Sequence, residues 1–256
     1  MENINYNNSN SCIIIMAGGL GKRMNSDLPK VLHKIKNKPM IVHILETSLK
    51  LNVHKIGIVV GKFNTIIKNT ISEYISQEMI DSKIQYIMQN EPLGTGHAIL
   101  CCKNFLSKMP EYINNICILS GDVPLISCTT INELLNTTQY SKILIANLSE
   151  PYGYGRIKTQ NNKIIKIIEE KDCNENEKKI SFINSGIYTF NTKILLHYID
   201  KLTNNNNSKE YYLTQIFELI SRDNITIDYS IIKDIKEISG INTQEQLIIL
   251  ENYMQK

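Results

Sequence analysis

Residues 12–24 read Cys-Ile-Ile-Ile-Met-Ala-Gly-Gly-Leu-Gly-Lys-Arg-Met, and this stretch decides the fold class. Its first half, residues 12–17, is an apolar run of strand length with no polar side to turn toward water. That predicts a strand buried on both faces. Its second half ends the strand on glycines and two cations. In open α/β sheets ligands gather beyond the carboxyl ends of strands. Glycines there let the backbone approach phosphate closely, and free N–H groups with Lys and Arg supply positive charge. The stretch is not a Walker A loop, because Met16 stands where that motif needs Gly and Arg23 follows Lys22 where it needs Ser or Thr. Nor is it a dinucleotide fingerprint, which would need Gly at Met24. A nicotinamide dehydrogenase is disfavoured on that ground.

The same alternation continues outward. Residues 39–50 suit a helix starting on proline, with Met40, Ile44 and Leu45 on one face. Residues 55–60 predict a buried strand, and Asn64 a cap for a helix reaching about Ile75. Strands are predicted at 84–88 and 116–120, and helices at 95–102 and 129–137. From residue 143 the pattern changes: strand-like runs at 143–148, 156–159, 164–169 and 182–190 are separated by turns. They predict antiparallel additions or a small second lobe. Helices at 192–202, 213–221 and 243–253 and a strand at 225–232 complete the chain. The expected architecture is α/β, a mainly parallel sheet with helices on both faces and a small antiparallel addition. A polar extension, residues 1–11, precedes one domain over 12–256, and no internal repeat is present.

With 256 residues, 42% of them hydrophobic, the chain can bury a sizeable core. Its apolar runs fall far short of the roughly 20 residues a membrane span needs, and the N-terminus does not read as a secretory signal. Six scattered cysteines form no C-x-x-C pair, which points away from structural zinc and toward a reducing, cytoplasmic setting. The net charge of +3 does not indicate nucleic-acid binding. Locally, however, Lys22, Arg23, Lys30, Lys34, Lys36 and Lys38 face the single acid Asp27. This is either a solvated basic loop or an anion site.

Two more features end strands. Ser120-Gly121-Asp122-Val123-Pro124 places an acid beyond an apolar run, suited to Mg²⁺ held jointly with phosphate oxygens, or to simple turn capping. Residues 89–98 carry Gln89, Gly94 and Thr95, amide and backbone groups able to pair with a base edge. On the plainer reading Thr95 caps a helix and His97 packs locally.

Together the segments AGGLGKRM (17–24), SDLPKVLH (26–33), QNEPLGTGHA (89–98), GDVPLIS (121–127), GYGRI (153–157), EEKD (169–172), INSGIY (183–188), EYYLT (210–214) and SGIN (239–242) identify a family. From about residue 12 to 246 the chain resembles the UDP-N-acetylglucosamine pyrophosphorylases, specifically the N-terminal domain of the bifunctional bacterial uridylyltransferase–acetyltransferase. LGTGHA with DLPKVLH is the most particular to that activity. The resemblance implies a Rossmann-like nucleotidyltransferase fold and a reaction of UTP with N-acetylglucosamine 1-phosphate. Met16, Ala17, Gly18 and Gly19 would lie against the nucleotide, with Ser120 and Gly121 beside them. Arg23 and Lys30 would act on the triphosphate, and Gln89, Gly94 and Thr95 would read uracil. Asp122 and Asn242 would hold Mg²⁺. Gly155, Glu169 and Asn184 would grip the amino sugar, with Tyr212 and Thr214 as weaker candidates.

The plainer alternatives are a solvated Lys30, a solvated Glu169 in its charged run, and an Asn242 that caps the last helix. Leu20, Ser120 and Gln215 depart from the family pattern without removing a needed charge. No acetyltransferase activity is expected, since the β-helical half of the bifunctional enzyme has no counterpart here. Nothing sets the oligomeric state. Rival readings are another sugar 1-phosphate or base, such as glucose 1-phosphate or dTTP, and a non-catalytic nucleotide-sugar sensor.

Overall fold

A computed structural model describes residues 6–19, 21–24, 26–136 and 139–253. Leu20, the side chain of Lys22, residues 1–5 of the polar extension and Thr137 lie outside the described residues. The chain opens with strand β1 (Ser11–Met16), a two-residue ribbon of β2 (Lys34–Ile35) and β3 (Lys38–Pro39), and helix α1 (Met40–Lys50). Next come β4 (Lys55–Val60), α2 (Asn64–Ser72), α3 (Gln77–Lys83), β5 (Ile84–Met88), α4 (Thr95–Cys101) and α5 (Lys103–Ser107). After β6 (Asn115–Ser120) and α6 (Cys128–Asn136) run four strands, β7 (Ser141–Asn147), β8 (Arg156–Gln160), β9 (Lys163–Ile168) and β10 (Phe182–Asn191). The chain finishes with α7 (Thr192–Ile199), α8 (Gln215–Arg222), β11 (Asp228–Ile231) and α9 (Gln244–Tyr253).

The main sheet has the order β11-β7-β10-β6-β1-β4-β5. β1 is parallel to both β4 and β6, and β4 to β5. β10 runs antiparallel to β6 and β7, so one reversed strand interrupts an otherwise parallel sheet. The hairpin β8–β9 joins the edge of β10 as the expected antiparallel addition, attached to the same sheet. Side chains of β1 alternate between two cores. Ile13 and Ile15 pack with residues of α1, α2 and α6, whereas Cys12 and Ile14 pack with residues of α4, α5, α7 and α8. Burying an isoleucine this completely contributes roughly 2 kcal/mol. The uninterrupted apolar run of β1 is thus the consequence of helices on both faces.

The expected helix after β4 is corrected. It ends at Ser72, Phe63 occupies its N-cap position, and Asn64 does not cap it: its Oδ1 is buried with no hydrogen-bond partner. The helix instead starts from a tight turn in which Asn64 N donates to Gly61 O at 2.9 Å. The chain then restarts as α3, where Ser76, in extended backbone, accepts from Met79 N. No helix among the described residues is long and apolar enough to cross a membrane.

Candidate active site

Because β4 flanks β1 on one side and β6 on the other, the connections leaving these strands diverge and open a crevice at their carboxyl ends. Met16 and Ser120 face each other in register at its floor. Main-chain bonds fix the three loops around it: Ala17 N to Val59 O at 2.9 Å, Gln89 N to Val60 O at 2.8 Å, and Gly121 N to Met16 O at 2.9 Å. A Cβ on Gly121 would lie 2.8 Å from Met16 O, so this crossing needs glycine. At Gly21, with φ +61°, a Cβ would lie 2.7 Å from Lys30 Cβ, so glycine lets the loop pass against Lys30.

On one side of the crevice is a cavity of about 230 Å³ walled by Met16, Gly18, Gly19, Lys30, Gln89, Gly94 and Thr95, among others. Gln89 is buried, and its Nε2 donates to Gly94 O at 3.2 Å. The Gly94-Thr95-Gly96 turn docks on residues 210–214. Gly96 N donates to Tyr211 O at 2.7 Å, Tyr211 N to Leu93 O at 2.8 Å, and Leu213 N to Thr95 Oγ1 at 3.1 Å. A Cβ on Gly94, which has φ +114°, would lie 2.5 Å from Tyr211 O. Two motifs far apart in sequence therefore fold as one wall. Thr95 is not the cap of α4; it is the first helical residue, and its hydroxyl serves Leu213.

On the other side is a cavity of about 420 Å³ whose walls include Arg23, Tyr154, Glu169, Asn184, Thr214 and Asn242. Glu169 Oε1 accepts from the Thr214 hydroxyl at 2.7 Å. Burial pushes the Glu169 carboxyl above its ordinary range, against that hydrogen bond and with help from nearby Asp172 and Glu210. Glu169 is therefore not the solvated acid its charged run suggested. A bulge in β10 between Asn184 and Tyr188 re-aims the strand. Asn184 Nδ2 donates to Tyr188 Oη at 2.7 Å, and its Oδ1 accepts from Gly186 N at 3.1 Å.

Beneath this wall lies Arg156, only 1% exposed. Its guanidinium pairs with Glu170 Oε2 at 2.8 Å, donates to Tyr154 O, and reaches Lys178 O at 3.4 Å. Glu170 Oε2 also accepts from Gly153 N at 3.2 Å. One buried cation thus ties the 152–155 loop to the 169–172 segment. The sequence reading missed it, since an arginine opening a half-exposed strand is ordinarily solvated.

The two cavities share Met16, Thr95, Ser120 and Asp122 as walls. At this junction Lys30 Nζ pairs with Asp122 Oδ2 and donates to Asn242 Oδ1 at 3.0 Å, and Arg23 Nη2 donates to the same Oδ1 at 2.9 Å. Ile241 N donates to Asp122 O at 3.0 Å and brings the two loops together. Asn242 does not cap the last helix. Thr243 and Gln246 form a reciprocal capping box, Gln246 N to Thr243 Oγ1 at 3.3 Å and Thr243 N to Gln246 Oε1 at 3.2 Å, which leaves the Asn242 side chain to the site.

A single ammonium group already bonds to both Asp122 and Asn242, so one small cation can reach the same two oxygens. A carboxylate and an amide oxygen are the hard donors Mg²⁺ takes. Among the described residues no group of three or more His, Cys, Asp or Glu gathers to hold a metal. Such a cation would therefore complete its shell with water and phosphate oxygens.

Of the expected site residues, Ala17, Gly121, Gly155 and Tyr212 line neither cavity. Ala17 and Gly121 serve through the main-chain bonds above, and Gly155 O accepts from Asn184 N at 2.9 Å. A wider cavity of about 830 Å³ lies between the β8–β9 turn and β11 and holds none of the candidate residues.

The chain is similar to known nucleotidyltransferases in sequence and in fold. The family model described as nucleotidyl transferase matches residues 12–236. A protein of Acanthamoeba polyphaga mimivirus named "Probable UDP-N-acetylglucosamine pyrophosphorylase" is 44% identical over 248 residues, 94% of each chain. A "Bifunctional protein GlmU" of Clostridium botulinum is 38% identical over 95% of this chain, which spans 52% of that relative's length. In structure, a UDP-glucose pyrophosphorylase complexed with UDP-glucose matches 96% of this chain and 99% of its own with a TM-score of 0.75, at 18% identity, a likeness of fold. The chain belongs to the nucleotidyl transferase family, and within it to the sugar nucleotidyltransferases.

Proposed function

We propose that the chain makes UDP-N-acetylglucosamine and pyrophosphate from UTP and N-acetylglucosamine 1-phosphate. The observation that carries this reading is the pair of cavities joined at Lys30, Asp122 and Asn242. One offers an amide and main-chain groups suited to a base; the other offers a carboxylate, an amide and a hydroxyl suited to an amino sugar. The name of the mimiviral relative supports the same substrates. An oxygen of the sugar phosphate attacks the α-phosphorus of UTP, and the bond from that phosphorus to the bridging oxygen of the leaving pyrophosphate breaks.

A phosphate monoester has a second pKa of roughly 6, so the nucleophile is already ionised at neutral pH and the site needs no general base. The difficulty is bringing two anions together. Catalysis is then positioning and charge stabilisation. Asp122 and Asn242 would hold Mg²⁺, whose contribution is to neutralise phosphate charge. Lys30 and Arg23, released from Asp122 and Asn242, would offset charge on the triphosphate. Glu169, Thr214 and Asn184 would orient the sugar.

Pyrophosphate release from a panel of nucleoside triphosphates and sugar 1-phosphates, with Mg²⁺, tests the reading. UTP with N-acetylglucosamine 1-phosphate should give the highest kcat/KM. Faster turnover of dTTP with glucose 1-phosphate would overturn it.

A further inference from the structure

The amide nitrogen of Gln89 is engaged twice. Besides donating to Gly94 O, Nε2 lies 3.2 Å from His97 Nδ1. A carbonyl oxygen only accepts, so the nitrogen of the amide belongs on that side. The same nitrogen cannot face a protonated Nδ1. The network therefore assigns the ring hydrogen of His97 to Nε2, which lies 3.9 Å from Cys101 Sγ one helical turn on. Oε1 is left on the side of the glycine loop, where a Cβ on Gly18 would come within 2.9 Å of it. Gly18 and Gln89 both wall the smaller cavity.

We propose that His97 is a base-specificity residue: by accepting from Gln89 Nε2 through Nδ1, it keeps the acceptor end of the amide, and not the donor end, toward the pyrimidine. With the ring hydrogen on Nε2, turning the amide over would set Oε1 against two acceptors, Gly94 O and His97 Nδ1. Moving that hydrogen to Nδ1 would relieve only the second, and would take it from the side of Cys101 Sγ. A ring with an N–H on its pairing edge, as uracil has at N3, meets an acceptor held in place. Cytosine, with a bare N3, meets lone pair against lone pair. Without His97 only Gly94 O opposes the flip, and the site can present its donor to cytosine. His97 acts through Gln89 and is a positioning residue. This inference rests on the proposal that the smaller cavity takes the base of UTP.

The test is kcat/KM for UTP and for CTP, with N-acetylglucosamine 1-phosphate, in wild type, His97→Phe and His97→Asn. Phenylalanine keeps the ring and removes the acceptor. In asparagine, Oδ1 sits where Nδ1 does, one bond beyond Cγ. The UTP-to-CTP ratio should fall about 10-fold in His97→Phe, the factor corresponding to one net hydrogen bond, and return most of the way in His97→Asn. The KM for the sugar phosphate should stay unchanged throughout. His97→Leu is read as His97→Phe is, should the latter not fold. An unchanged ratio in the Phe or Leu variant of an enzyme that prefers UTP overturns the inference alone. An equal fall in the Phe and Asn variants also overturns it, because the ring and not the acceptor would then matter. A wild-type enzyme that takes CTP as readily as UTP overturns the reading of the cavity, and the inference with it.

Discussion

Around the smaller cavity the loops that carry the walls are held mostly by main chain on main chain: Ala17 on Val59, Gln89 on Val60, Gly121 on Met16, Gly96 on Tyr211. Around the larger cavity they are held by side chains: Arg156 on Glu170, Thr214 on Glu169, Asn184 on Tyr188. The first region grows out of parallel strands whose ladders already set the loop positions. The second is built on a reversed strand, its bulge and a hairpin, which leave the 152–155 and 169–172 segments without a ladder of their own. The first should be damaged chiefly where a Cβ is added, the second where one side chain is removed.

The largest effect is expected at the junction both regions share. Asp122→Asn keeps the shape and loses the charge, so turnover should fall roughly 100-fold or more, about 2.7 kcal/mol, as when one preorganised electrostatic group is lost. Raised Mg²⁺ should recover part of this loss but none of a similar loss in Lys30→Ala. Initial rates against Mg²⁺, with melting curves as controls, decide it. Near-normal rates of Asp122→Asn at limiting Mg²⁺ would reduce Asp122 to a turn residue.

Arg156→Met should separate the two regions. The KM for the sugar phosphate should rise by roughly 10-fold or more as the wall loosens, while the KM for UTP stays near its wild-type value. Breaking a buried pair should also cost on the order of 3 kcal/mol, a fall in Tm of roughly 10 °C. Equal changes in both KM values would show that Arg156 supports the whole sheet and not one wall.

The smallest effect is expected at Glu169. Burial raises its carboxyl above the unfolded value, so the folded state binds the proton more tightly and stability falls as pH rises through that window. Glu169→Gln cannot titrate. Its Tm should gain slightly on wild type from the ordinary carboxylate range up to neutral pH, and the Thr214 hydroxyl keeps an acceptor. A Tm difference that does not vary with pH would contradict this.

The contrast between regions is also one of legibility. β4 and β5 match the predicted residues 55–60 and 84–88 end for end. β4, covered on both faces, needs its continuous apolar run, whereas β5 forms the edge of the sheet and leaves Gln85 and Met88 exposed. The run at 182–190 was legible as one of the antiparallel strands, but its place between β6 and β7 inside the main sheet was not, since an apolar strand does not say which neighbours it will pair with. Asn64 and Ser76 are both cap-type residues, and only the turn geometry chose between them. Arg156 and Glu170 looked like solvated charges, because nothing local says that a charge will find its partner in the interior.

By itself the sequence determined the strand–helix alternation, the glycine and cation-rich turns at strand ends, and the motifs that carry the family resemblance. These are properties of neighbouring residues, expressed through periodicity and backbone freedom. Tertiary structure alone decided that residues 89–98 dock on 210–214, that Lys30 meets Asp122 and Asn242, and that Gln89 turns its nitrogen to His97. Those contacts join segments or orient groups that no local pattern relates, and they form only when packing brings the strand ends to one crevice.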